Sequence, residues 1–368
     1  MIIPLWFAAA CGSVSPVDAP DAASTPDAPA APDAAAEPDA TPAPDAASDA
    51  CVQTTCAAAG AACGVIADGC GGTVTCDPCG AGQVCGATAD HACAPTPTLK
   101  LRNGFVQSDG AKAHSQTCDV AASGVLDCTT TTHPFAAFAL PPSGLTLPAG
   151  ARIADRTIVV YRTPTGARRL LTAYLQADGA REYVQSCAMP ATGPLTCDPA
   201  TSPYVAVALP PAGVTLAPGT HVGGRFGYAF VADGRIKVRQ GYVQSDGTRS
   251  VSQDCDVAAD GALVCDPATH PFQVVALPPS GVTPAAGTVI RDRYTYAFYA
   301  DGVPKLRSGY VQSDGAQSWS QNCDVAPSGA LDCDPVTHPF AAFAQPGTGL
   351  VPDAGTVLDH RYAFTYVE

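Results

Sequence analysis

Four pairs of cysteines set the register of this chain: Cys118/Cys128, Cys187/Cys197, Cys255/Cys265 and Cys323/Cys333, with the same spacing inside every pair. The first members recur every 68 or 69 residues, and each is followed 38 residues later by an arginine: Arg156, Arg225, Arg293 and Arg361. A period of that length is one supersecondary unit of several strands, repeated four times. Arg307–Phe340, RSGYVQSDGAQSWSQNCDVAPSGALDCDPVTHPF, shows the unit most clearly. The single change of length falls where later copies read Ala-Asp-Gly (Ala232–Gly234, Ala300–Gly302) and the first reads Thr163-Pro164-Thr165-Gly166. Turn tips tolerate insertion when the flanking strands do not, so a hairpin is expected there.

Each unit carries a second Asp-Gly step, and a type I′ turn, with positive φ at both central residues, is expected at such steps. Folding about Asp314-Gly315 sets Tyr310 opposite Trp319; the same construction pairs Phe105 with His114, Tyr174 with Tyr183 and Tyr242 with Val251. Gln107, Gln176, Gln244 and Gln312 share that face, as do Gln116, Gln185, Gln253 and Gln321, each two positions before a cysteine. After the second cysteine, Asp-Pro-x-Thr-His-Pro-Phe (Asp266–Phe272, Asp334–Phe340) excludes helix and opens a short apolar strand. No window in the repeats has sustained helical periodicity, so the fold class is all-β.

The chain ends on an aromatic strand, Arg361–Glu368, that no hairpin follows, and the first copy starts at Leu99–Phe105 with no such strand before it. Pairing the two closes a propeller-like ring of four units and removes two sheet edges; the alternative is a linear array of small β-modules. The reading by segment is 99–166, 167–234, 235–302 and 303–368 for the repeats.

Ahead of the repeats, the composition changes. Residues 12–50 are Asp, Pro and Ala with variations, holding seven Asp, one Glu and no Lys or Arg, and are expected to be a disordered, extended tether. They carry more than half of the net charge of −14, so the acidity does not call for a basic partner. Residues 51–93 place Cys51, Cys56, Cys63, Cys70, Cys76, Cys79, Cys85 and Cys93 in a segment too small to fold without staples. Disulfides are expected, in any of 105 connectivities. A zinc site at Cys76-Asp-Pro-Cys79 with His91 is the competing reading. MIIPLWFAAAC, an apolar stretch and small residues ending in Cys11, resembles the signal and lipobox of bacterial lipoproteins, here residues 1–11. Cys63–Cys70 followed by two glycines resembles the cysteine-rich modules of bacterial surface lipoproteins that carry such tethers. The resemblance covers residues 1–93 and implies an exported protein, lipidated on Cys11 and held at the outer membrane or cell surface. Cys11 is also the one cysteine of 17 left over when the others pair.

Two kinds of site are readable in the repeats. The aromatic and amide face, Tyr174, Tyr183, Tyr242, Tyr310, Trp319, Gln312 and Gln321, suits a glycan or peptide; core packing is the alternative, since the same face holds the first cysteine of each pair. Buried glutamines would then need partners such as the Pro-rich loop carbonyls. His133, His270 and His338, with Asp119, Asp256 and Asp324, could serve a hydrolase or a metal-dependent enzyme, but in the second copy these positions are Ser202 and Ala188. No nucleophile elbow, zincin motif or phosphate loop is present, so neither a catalytic residue nor a cofactor is assigned. Four lysines and fifteen arginines scattered through an acidic chain exclude nucleic acid as the expected partner. The function expected is non-enzymatic: a surface lipoprotein, structural or adhesive, that presents a repeated surface to a ligand, or else a passive spacer.

Overall fold

The computed structural model describes residues 51–190 and 195–367. The signal segment, Cys11 and the tether of residues 12–50 lie outside them.

Every regular element in the described residues is a strand. In the repeats the strands form four antiparallel sheets. The second blade is the simplest: Ile153–Arg162, Arg168–Gln176, Arg181–Met189 and Val205–Ala208, in that order outwards. The third runs from Val222–Ala232 through Arg235–Gln244 and Arg249–Val257, with Leu263–Val264 and Gln273–Ala276 sharing the outer edge. The fourth repeats this with Ile290–Ala300, Val303–Gln312, Gln317–Val325, Leu331–Asp332 and Ala341–Ala344. The first blade takes Leu99–Val106, Lys112–Val120, Leu126–Asp127 and Ala136–Ala139 from the start of the repeats and its inner strand, His360–Val367, from the end of the chain.

That last pairing runs from His360 opposite Val106 to Val367 opposite Leu99. The innermost strands of successive blades contact one another around one axis, and the strand at the chain end contacts both its neighbours. The two unpartnered strands of the sequence therefore close a four-bladed β-propeller, in which each sequence repeat supplies the outer strands of one blade and the inner strand of the next.

Blades stack face to face. Tyr294, Tyr296 and Phe298 of the fourth pack on Leu99, Leu101, Cys118 and Val120 of the first. Tyr362 and Phe364 pack on Ile158, Leu170 and Tyr174 of the second, Val159 and Tyr161 on Ile236, Val238 and Val257 of the third, and Tyr228 and Phe230 on Leu306, Cys323 and Val325 of the fourth. Alternating strands thus bury both faces, as sheets stacked on both sides must. The cysteine pairs bridge as expected, Cys118–Cys128, Cys187–Cys197, Cys255–Cys265 and Cys323–Cys333, and tie each third strand to the loop beyond it.

The hairpin registers follow the sequence reading, with Tyr310 opposite Trp319, Tyr174 opposite Tyr183, Tyr242 opposite Val251 and Phe105 opposite His114. The turn type differs between the two sets. Asp233 and Asp301 have positive φ (52° and 50°), as do the glycines after them, giving the type I′ form. At Asp109, Asp178, Asp246 and Asp314 only the following glycine is left-handed. There the aspartate side chain accepts the amide two residues on, at 2.9 Å from Ala111, Ala180 and Ala316 and 3.0 Å from Thr248, an Asx arrangement that needs no positive φ at Asp.

Residues 51–95 hold two two-stranded sheets of their own, Gly64–Ala67 with Thr73–Cys76 and Gln83–Cys85 with Cys93–Pro95. The segment is held by Cys51–Cys70, Cys56–Cys76, Cys63–Cys85 and Cys79–Cys93. Cys76 and Cys79 go to different partners, so the CxxC spacing does not form a zinc pair. The one set of closely grouped metal-type ligands in the described residues, Cys63, Cys79 and Cys93, is taken up in two of these bridges.

Candidate functional site

The seven residues singled out as a binding face lie in the core. Tyr174, Tyr183, Tyr242, Tyr310, Trp319, Gln312 and Gln321 are all between 2 and 6% exposed. The glutamines serve the fold. Gln116 donates to the carbonyls of Cys128 and His133, Gln253 to those of Cys265 and His270, and Gln321 to those of Cys333 and His338, at 2.7–2.9 Å. Gln185 makes the equivalent bond to Ser202 alone. The second set reaches the hairpin turns and the next loop: Gln244 binds Asp246 and accepts from Ala217, and Gln312 binds Asp314 and accepts from Ala285.

The histidines stand on three separate blades, each beside a carboxylate of its own blade. His270 Nε2 is 3.2 Å from Asp256, His133 Nε2 3.7 Å from Asp119, and His338 is nearest to Asp332 rather than Asp324, at 4.0 Å. Asp119, Asp256 and Asp324 each also pair with a lysine across the sheet, Lys100, Lys237 and Lys305. In the second blade Arg169, Ala188 and Ser202 take all three positions, so the lysine, aspartate and histidine are exchanged together, as parts of one loop clamp would be.

Around the axis, four arginines lie in the seams between blades. Arg156 sits over Tyr362 and Tyr174, Arg293 over Phe226 and Tyr310, and Arg361 over Tyr294 and Phe105. Tyr362, Phe226 and Tyr294 in turn each lie across a glycine on the adjoining strand, Gly104, Gly241 and Gly309, where any Cβ would collide with the ring. At the remaining seam that pair is Thr157 and Ala173, and Arg225 is over Tyr242 only. There Glu182, which replaces the Ala113, Ser250 and Ser318 of the other blades, forms a buried ion pair with Arg225 (Nε to Oε2 2.5 Å). One position before the arginines stand Asp155, Gly224, Asp292 and His360. Asp155 accepts the amides of Arg156 and Arg225, and Asp292 those of Arg293 and Arg361, so each carboxylate joins two blades. Burial raises the pKa of both, Asp292 the more, with the charge of Asp155 adding to it. Burial also opposes charge on His360, but its bond to Asp359 and the nearby Asp155 and Asp292 outweigh this and raise its pKa to about 9.

At the opposite mouth, where the inner strands end, the cysteine-rich unit caps the ring. The amides of Val65 and His91 donate to Asp233 and Gly234, the amide of Asp90 donates to Pro164, and Asp90 Oδ1 accepts from the amide of Ile236. These contacts use the type I′ turn of the third blade and the longer turn of the second. Gly64 and Gly234 approach so closely that a side chain on either would meet the other's backbone.

Beneath the cap lies a chamber of about 690 Å³. Val160, Ala229, Ala297 and Thr365, at one equivalent position of the four inner strands, form its floor with Phe230, Phe298, Tyr299 and Tyr366; the Cys63–Cys85 bridge and Val65 form the roof. Arg162 and Arg168, opposite each other on adjacent strands, are its cationic wall. Arg162 donates to the Gly166 carbonyl, and burial followed by the charge of Arg168 lowers its pKa. None of the histidines discussed above lines this space. A cavity of this size with mainly apolar walls and a few converging polar groups suits a small organic ligand.

No protein-family model matches the sequence, and no curated protein matches it. Among solved structures, one match is a fucose lectin from Kordia zhangzhouensis in complex with methyl-fucoside, at 12% identity and a TM-score of 0.25, covering 52% of this chain and 99% of that one. Others are MucB in complex with MucA(peri) (14% identity, 62% of this chain and 75% of that one) and Pseudomonas aeruginosa MucA/MucB (11%, 68% and 89%), both with TM-scores of 0.10. Likenesses this distant carry no argument about ligand or function.

Proposed function

We propose that this is an exported binding protein, held at the cell surface by lipid on Cys11, whose ligand occupies the chamber between the cap and the propeller. The chamber carries the reading: all four blades contribute to its floor, and a cap stapled by four disulfides covers part of it and leaves it open at the side. Binding fits better than catalysis because, among the described residues, the lining holds no nucleophile bonded to a base. Eight disulfides in the described residues suit an oxidising compartment. In those residues, no helix is long and apolar enough to cross a membrane, and lipid on Cys11 would supply attachment. The repeats then act as scaffold, their aromatic face spent on blade packing, and the expected single ligand per chain replaces a multivalent surface.

Mass spectrometry of protein extracted from its native membrane tests both parts. A diacylglyceryl mass on the Cys11 peptide and a small molecule released at one equivalent on denaturation are expected. An unmodified Cys11 refutes the anchor, and a Val303→Trp chain that still releases one equivalent refutes the chamber, since Val303 is an exposed residue at its rim.

A further inference from the structure

Building on the chamber as the binding site, we infer that its ligand is an amphipathic carboxylate, an acyl chain or similar apolar body with one anionic head. Two observations converge. The floor and roof are mainly apolar over the ends of all four inner strands, with the half-buried Tyr299 and Tyr366 offering aromatic surface that an apolar body would match. The cationic side chain offered to a ligand is the half-buried Arg162; its register partner Arg168 is buried and donates to the carbonyls of Pro190 and Val367. The hydrogen bond of Arg162 goes to a neutral carbonyl, that of Gly166, so its guanidinium retains donors and its full charge. Among the described residues the acidic one of the lining, Asp233, is exposed and is in the docking turn of the cap. Lys305, at the rim, is already paired with Asp324. A carboxylate entering the chamber therefore meets an unneutralised guanidinium in a place of reduced dielectric, where a charge-assisted bond is strongest.

The cap also indicates the route in. Its hydrogen bonds to the ring run to the second and third blades, through Pro164, Asp233, Gly234 and Ile236. On the fourth blade the chamber is bordered by Gly302, Val303 and Pro304, and Pro78 and Cys79 of the cap also line it. An acyl chain would enter there, on the side away from these bonds, with its head lodging at Arg162.

Titration of the full chain with 11-(dansylamino)undecanoic acid, followed by dansyl fluorescence, tests this against the primary amide of the same compound. The acid is expected to bind at least about tenfold more tightly than the amide, a margin that Arg162→Met removes by weakening the acid alone. Val303→Trp, and independently Ala297→Trp, are expected to abolish both. Equal binding of acid and amide, or an Arg162→Met chain that binds the acid unchanged, overturns the carboxylate assignment while leaving the chamber as the site. Binding that persists in both tryptophan variants, with their circular dichroism unchanged, overturns the chamber and the proposed function with it.

Discussion

Replacing Glu182 with serine, the residue found at this position in the third and fourth blades, should weaken one seam of the ring and leave the others intact. Glu182 and Arg225 have side chains only 4 and 3% exposed, and the pair brings Arg225 Nε to 2.5 Å from the carboxylate. Glu182 also accepts from the Tyr242 hydroxyl at 3.2 Å. With the carboxylate gone, Arg225 keeps a 3.4 Å bond to Gln240 and the Tyr242 ring, too little to offset a buried guanidinium. Breaking such a pair by removing one partner costs about 3–5 kcal/mol. The other seams show how the loss can be repaired: adding Thr157→Tyr and Ala173→Gly rebuilds the aromatic-over-glycine pair beneath the arginine. A restored cation–π contact contributes about 1–2 kcal/mol at a desolvated site, so the triple variant should recover roughly that much. Guanidinium unfolding with disulfides intact, read from the fluorescence of buried Trp319, measures both steps. A cost below about 1 kcal/mol for Glu182→Ser, or no recovery in the triple variant, refutes the view that this seam exchanges an aromatic contact for an ion pair.

Other perturbations separate the remaining parts. His360→Leu should cost about 3 kcal/mol at neutral pH by removing the cation bonded to buried Asp359 and close to Asp155 and Asp292. The pKa of His360 is raised to about 9, so its contribution is complete below its unfolded value near 6.5 and lost as pH rises through 9; the gap between wild type and variant should close over that interval in denaturant titrations. Gln321→Leu strands two carbonyls and should cost about 2–3 kcal/mol, while Gln185→Leu, which strands one, should cost about half as much in the same assay. A chelator should leave the melting temperature unchanged, whereas a reductant should release the cap, read as new protease cleavage within residues 51–95.

The architecture was legible because the repeat exposes its own register. Constant spacing from cysteine to arginine confined the length change to a turn, and the unpartnered strands at Leu99 and Arg361 were complementary. The bonding of Gln116, Gln253 and Gln321 to loop carbonyls could be anticipated for the same reason: a glutamine two before a half-cystine shares its buried face. Burial of that face could be argued only from its half-cystines, because pattern gives the side of a sheet and not what covers it. Stacked blades cover both sides, which is why Tyr310 and Trp319 are core. The chamber left a fainter signal. Its floor positions, Val160, Ala229, Ala297 and Thr365, lie four residues beyond the repeat arginine, where aligned copies show small or medium side chains. Its roof attaches largely through backbone amides and carbonyls, which carry no sequence signature, and Arg162 with Arg168 belong to one blade only. The two turn types also escaped, since Asp-Gly reads alike whether the aspartate takes positive φ or bonds its own turn.

Ring closure underlies the seams, the axis and the chamber alike, and hydrogen–deuterium exchange of Leu99–Val106 tests it directly. In an antiparallel sheet, alternate amides of this strand point to Lys112–Val120 and to His360–Val367. A closed ring protects both sets to a similar degree, as in the second strands of the other blades. Slow exchange in one set and rapid exchange in the other would mean that the strand is an open edge, and that the four units form a linear array.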